Sequence, residues 1–274
     1  MRFIFRADAS REIGSGHVMR SSVLAEEAIS RGYECIFVGR ISELDWVAER
    51  ISKLGFSQVL SVESAFRANI ETDVLILDSY SIPVTNAFIA KENWKLVVSI
   101  CDEITPKYLA DTELRPGLQK INGVHDGPVV LSGAEYVLIR KGIAKSSRNI
   151  NHGGVPKVLV VGGGSDPFRY VKAVTEVIGS LGLKLEVHVF TQDSIPTGSE
   201  VNFFIHPIGS ELDLIAGDFD VVLTTASTSS LEFIAREIPT GVVFAVDNQE
   251  DYYEQLGRLG YALQIGTRNP SGVW

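Results

Sequence analysis

The chain has 274 residues, enough for two domains of ordinary size, and its 45% hydrophobic and 22% charged content is that of a globular protein. A formal net charge of −9 argues against broad nucleic-acid or anionic-membrane binding, so an anionic ligand has to find local donors. No stretch of about eighteen apolar residues occurs and charges interrupt the N-terminal Met-Arg-Phe-Ile-Phe-Arg-Ala-Asp, so a soluble, cytoplasmic protein without stable membrane association is expected.

The first expected strand covers 2–7, and apolar residues at helical spacing (Met19, Val23, Leu24, Ala28, Ile29) predict a helix over 18–31 that Gly32 ends. Between them lies Gly14-Ser15-Gly16-His17-Val18-Met19-Arg20, a βα turn that delivers a histidine to a helix start. Glycine permits positive φ and close ligand approach, and the helix N-terminus offers unpaired N–H groups with partial positive charge. That charge disfavours a protonated imidazole and suits His17 to accept a proton; the alternative is a surface histidine beside a simple turn. Next come a strand over 34–38, a helix over 43–54, a strand over 74–77, a helix over 83–91 and a strand over 96–100, the alternation of a doubly wound half. Cys35 and Cys101 fall in apolar runs and are expected as buried free thiols.

Periodicity fails over 140–156, where polar residues and helix breakers predict a linker, and the domains are drawn at 1–145 and 146–274. The second half restarts with a strand over 158–161 and a helix over 168–180. Strands over 185–190, 221–224 and 242–246 follow, with helices over 229–236 and 248–259. The fold class is therefore α/β, two Rossmann-like doubly wound domains with a ligand expected in the cleft between them, toward the carboxyl ends of the strands.

Two segments of the second half suit a phosphate. Gly162-Gly163-Gly164-Ser165-Asp166 follows a strand and opens a helix, so its amides can cradle an anion or merely make a tight turn. Thr224-Thr225-Ala226-Ser227-Thr228-Ser229-Ser230-Leu231-Glu232 brings hydroxyls to a helix start, with Glu232 a turn further on able to accept both hydroxyls of a ribose; N-capping chemistry is the competing account. Asp247-Asn248-Gln249 either caps a helix or touches the ligand.

Taken in order, Phe5-Arg6-Ala7-Asp8-Ala9-Ser10, the Gly-Ser-Gly-His turn, Leu77-Asp78-Ser79-Tyr80, Gly133-Ala134-Glu135-Tyr136-Val137-Leu138-Ile139-Arg140, Gly163-Gly164-Ser165-Asp166, Ala226-Ser227-Thr228-Ser229-Ser230-Leu231-Glu232 and Asn248-Gln249 resemble the PseG family. Its members are UDP-2,4-diacetamido-2,4,6-trideoxy-β-L-altropyranose hydrolases of pseudaminic acid biosynthesis. The resemblance implies a GT-B fold, with UDP on the C-terminal domain and the sugar facing the N-terminal one. It implies that His17 is the base activating water for attack at the anomeric carbon. Arg6, Asp8, Gly16 and Tyr80 would line the sugar side. Gly164, Ser165, Ser227, Ser229, Glu232, Asn248 and Gln249 would surround the nucleotide or the cleft. UDP leaves readily, so an oriented water, a base and donors suffice; no cofactor is implied, and no Asp-x-Asp metal motif ends a strand.

The chain departs from the family's pattern at Ser21, at Cys101-Asp102 and at Glu113-Leu114-Arg115-Pro116-Gly117, in the half that should meet the sugar. A crossover helix of the kind that often closes GT-B proteins is expected to be absent before Trp274 or supplied otherwise. The alternatives are a glycosyltransferase or hydrolase acting on another UDP-sugar, a sugar-nucleotide 2-epimerase, and a non-catalytic nucleotide-sugar binding protein.

Overall fold

A computed structural model of the chain describes residues 1–102, 107–121, 127–145, 153–164, 166, 168–195, 200–209, 212–245 and 249–267. The chain forms two compact units, Met1–Leu138 and Ile139–Trp274.

The first unit is built on a seven-stranded parallel sheet of order β3-β2-β1-β4-β5-β6-β7. The strands are β1 (Arg2–Ala7), β2 (Glu34–Val38), β3 (Gln58–Leu60), β4 (Asp73–Asp78), β5 (Leu96–Ile100), β6 (Thr112–Arg115) and β7 (Val129–Ser132). Side chains alternate across a strand, and both faces of the central strands are covered. Phe5, Ala7, Phe37 and Ile76 pack with Val18 and Ala25 of α1 (Gly16–Ser30) and Val47 and Ile51 of α2 (Asp45–Lys53). Ile4, Ile36, Leu75 and Leu77 pack on the other side with Phe66, Ile89 and Trp94.

The helix expected over 83–91 is two short 3₁₀ turns, Ala87–Ile89 and Lys91–Asn93. Asn86 accepts the Phe88 N–H at 2.8 Å and Trp94 Nε1 donates to the Phe88 carbonyl at 2.7 Å, so local bonds take the groups a longer helix needs. Extended backbone at Ala90 separates the turns.

The second unit holds a six-stranded parallel sheet of order β10-β9-β8-β11-β12-β13. Its strands are β8 (Lys157–Val161), β9 (Glu186–Phe190), β10 (Asn202–His206), β11 (Val221–Thr225), β12 (Thr240–Phe244) and β13 (Leu263–Thr267). Helix α4 (Tyr170–Ser180) buries Val171 and Ile178 against Val158, Val160, Val187 and Val189. The opposite face, with Leu159, Val161, Phe190 and Val222, meets Ile143 of α3 (Lys141–Lys145) and Phe233 of α6 (Thr228–Ile234). Helices α5 (Leu212–Ile215) and α7 (Glu250–Arg258) complete the described α-helices.

Helix α3 lies inside the segment read as a linker and ahead of the boundary drawn at 145. It joins the second unit because Ile143 is fully buried in that unit's core. The rest of the linker's polar tract, 146–152, and the chain end at Trp274 lie outside the described residues.

Candidate active site

In the order β3-β2-β1-β4-β5 the chain runs outward one way from β1 and the other way from β4, so the sheet's direction of growth reverses between these neighbours. Ala7 pairs with Asp78 at the carboxyl ends of the two strands. The turn after β1 then carries the chain into α1, whose second residue is His17. Gly14 turns there with φ 78°, its N–H donating to the Ser10 carbonyl at 2.8 Å. Gly16 is already helical, and a Cβ on it would meet nothing within 4 Å.

His17 is buried, and its Nδ1 lies 2.5 Å from Asp78 Oδ1. Arg20, one turn along α1, places Nε 2.6 Å from Asp78 Oδ2 and Nη2 2.7 Å from Oδ1. Burial works to raise the Asp78 pKa, but the Arg20 guanidinium and the His17 hydrogen bond outweigh it, and the carboxyl titrates below the ordinary carboxylate range. As an ionised carboxylate is only an acceptor, Nδ1 of His17 carries a hydrogen toward it. Arg20 Nη2 also lies 3.3 Å from that Nδ1, but its closer partner is Asp78.

Tyr80 follows β4. Its ring meets the His17 ring edge-on at 4.2 Å between centroids, and its hydroxyl donates to Asp102 Oδ2. Asp102 lies just past β5 and faces Arg20 Nη1 at 3.4 Å. Adjacent strands β1, β4 and β5 thus contribute to one cluster. Of its members, His17 and Tyr80 are expected from the sequence; the partnership of Asp78, Arg20 and Asp102 is not.

Arg6 and Asp8, at and just past the end of β1, line a pocket of about 390 Å³ with Ser10, Arg40, Ser61 and Glu63; His17 and Tyr80 are not in its lining. Arg6 Nε donates to Glu63 Oε1 at 2.7 Å, its Nη1 pairs with Asp8 Oδ1 at 2.7 Å, and Asp8 accepts the Arg40 N–H at 2.7 Å. Both are therefore held rigid at a polar opening.

In the second unit, the start of α4 is capped by the chain itself. Asp166 adopts φ 39° and accepts the Tyr170 and Val171 N–H groups at 2.8 and 3.0 Å. Those amides are taken by an internal carboxylate. Gly163 turns with φ 82° and Gly164 follows it; Ser165 lies outside the described residues.

Ser227 stands at the N-cap of α6 with extended backbone and makes no capping bond with its side chain. Its hydroxyl turns to Thr225 instead, at 3.3 Å from Oγ1 and 3.4 Å from the carbonyl. Ser229 lies in the first turn, half-buried. Glu232 does not reach back to the cap either. It is buried and takes Arg140 Nε on Oε1 at 2.8 Å and Nη2 on Oε2 at 2.6 Å. Gln249 accepts the Ala245 N–H at 3.0 Å at the start of α7, and Asn248 lies outside the described residues.

Among the described residues no group of three or more His, Cys, Asp or Glu side chains is placed to hold a metal ion, and no helix is long and apolar enough to cross a membrane.

No protein-family model matches the chain. The chain is similar to the UDP-2,4-diacetamido-2,4,6-trideoxy-β-L-altropyranose hydrolase of Campylobacter jejuni, at 28% identity over 151 residues, 52% of this chain and 53% of that protein. It spans about half the length of this curated relative. Among solved structures, a glycotransferase of kitacinnamycin shares 16% identity with a TM-score of 0.61, over 97% of this chain and 86% of that one. CalG4, the calicheamicin glycosyltransferase, shares 14% identity with a TM-score of 0.61, over 97% and 85%. A putative UDP-N-acetylglucosamine 2-epimerase from Listeria monocytogenes shares 13% identity with a TM-score of 0.57, over 99% and 85%. These likenesses show the fold: two Rossmann-like α/β domains of the GT-B type.

Proposed function

We propose that the protein is a nucleotide-sugar hydrolase that releases UDP from UDP-2,4-diacetamido-2,4,6-trideoxy-β-L-altropyranose. The observation that carries this is the buried His17–Asp78 pair past the carboxyl ends of β1 and β4, with Tyr80 edge-on to the imidazole. Similarity to the Campylobacter jejuni hydrolase supports this choice of substrate.

Asp78 holds the imidazole with Nδ1–H toward itself, so Nε2 accepts a proton from water as the water oxygen bonds to the anomeric carbon. The anomeric C–O bond breaks and its electron pair leaves with UDP. Arg6, Asp8, Gly16 and Tyr80 of the first unit meet the sugar. Gly164, Ser165, Ser227, Ser229, Asn248 and Gln249 of the second unit supply amides and hydroxyls for the diphosphate, and Glu232 the ribose. Arg140 places its backbone N–H and Nε on Glu232 Oε1 and its Nη2 on Oε2, which leaves an acceptor position on Oε2 for one ribose hydroxyl. The chemistry needs no cofactor.

A glycosyltransferase on the same fold is the second reading, since the same base would deprotonate an acceptor hydroxyl as readily as water. Turnover of the UDP-trideoxy-altrose in ¹⁸O-water decides. Label in the free sugar with no added acceptor supports hydrolysis at the anomeric carbon; label in UDP, or no turnover without an acceptor, refutes it.

A further inference from the structure

Arg20 lies three residues beyond His17 on one face of α1, and its guanidinium makes two hydrogen bonds to the carboxylate that also holds the imidazole. Among the described residues, the charged and titratable groups around His17 come from three elements: Arg20 on α1, Asp78 and Tyr80 at the end of β4, and Asp102 past β5. Asp78 is wholly buried, and the Arg20 side chain is nearly so.

An imidazole set against one buried carboxylate, with no other cation near, takes up a proton readily because the negative charge is uncompensated in a poorly screened site. A larger share of such histidines arrives at the reaction protonated, and that share accepts nothing. Here Arg20 brings a positive charge to Asp78 first, and guanidinium does not lose its proton in a protein. His17 then only donates one hydrogen bond to a carboxylate whose charge is already met. Asp102 fixes the far side of the guanidinium and draws the Tyr80 hydroxyl hydrogen to itself.

We propose that Arg20 is the positioning residue that keeps His17 unprotonated and able to act as a base, which rests on His17 being the base of the hydrolysis proposed above. Arg20 acts through Asp78 and needs no contact with substrate.

Titration of ¹⁵N-histidine-labelled protein tests this without any substrate, with the His17 signal identified by its loss in His17→Ala among the chain's five histidines. In Arg20→Met the pH midpoint of the His17 signal should rise by about one unit or more. Arg20→Lys, which retains a positive charge, should fall between that value and wild type. Arg20→Gln carries the same expectation as Arg20→Met should the latter not fold. A midpoint unmoved in the neutral variants, or moved equally in Arg20→Lys, overturns the role of Arg20 and leaves His17 as base untouched. Full turnover by His17→Ala, in contrast, removes the base itself whatever the titration shows.

Discussion

Arg140 and Glu232 meet at two points within the second unit, Nε on Oε1 and Nη2 on Oε2, and the Arg140 backbone N–H adds a third bond at 3.1 Å. Both side chains are largely shielded, at 12% and 4% exposure, so neither charge has water to fall back on. Removing one partner strands the other. Arg140→Ala should destabilise the protein by about 3–5 kcal/mol in urea unfolding, whereas a matched apolar pair at both positions should cost far less. A loss under 1 kcal/mol in the single variant would show that the pair is solvated in solution.

His17→Ala should lower kcat by about 10²-fold or more, while Arg20 keeps Asp78 partnered and the protein folded. Asp78→Asn should produce a comparable loss, because an amide in place of the carboxylate no longer selects the Nδ1–H tautomer. Wild-type rates in either variant count against the proposed base.

Gly16→Ala separates fold from function. The added methyl meets no protein atom, and alanine favours a helix over glycine by up to about 1 kcal/mol, so the melting temperature should hold or rise. If the sugar approaches this backbone closely, KM rises or kcat falls in the same variant. Unchanged kinetics would remove Gly16 from the substrate surface.

Acid should unfold the protein through its paired carboxylates. Burial raises the Asp73 pKa, but the Arg2 side chain and the Asn69 and Thr72 hydrogen bonds lower it further, and Asp78 is likewise depressed. A carboxyl depressed in the folded state contributes stability that is fully present above its unfolded value, about 3.9, and is lost as pH falls through the folded one. Stability against urea should therefore decline below about pH 4, and the decline should be shallower in Asp73→Asn. An equally steep decline in that variant would assign the acid lability elsewhere.

The two cysteines should resist alkylation. Burial pushes the Cys35 thiol up to about 11, aided by nearby Glu34, and burial likewise raises Cys101 against the Ser99 hydrogen bond. The thiolate fraction at neutral pH is then very small. Iodoacetamide at pH 7.5 should label both only after denaturant is added; rapid native labelling of Cys35 would contradict its burial.

The strands over 34–38 and 96–100 match the structure residue for residue, because a parallel strand covered on both faces reads as an unbroken apolar run. Strands β3, β10 and β13 escape that signal. They are edge or short strands whose Val59, Phe204, Ile205 and Leu263 are substantially exposed, so their sequences carry polar residues without clear alternation. Strands β6 and β7 end the first sheet in the same way.

By itself the sequence determined the α/β alternation and the glycine-flanked turn that mounts His17, since both depend on residues close together along the chain. Tertiary structure alone decided what His17 does with its other nitrogen. Asp78 lies 61 residues away and reaches it because β1 and β4 are paired, and Asp102 reaches Arg20 because β5 is next in the sheet. Likewise Glu232 is claimed by Arg140, 92 residues before it. Local spacing encodes turns and helix faces, whereas the partner of a buried charge is set by strand order, which no short stretch of sequence contains.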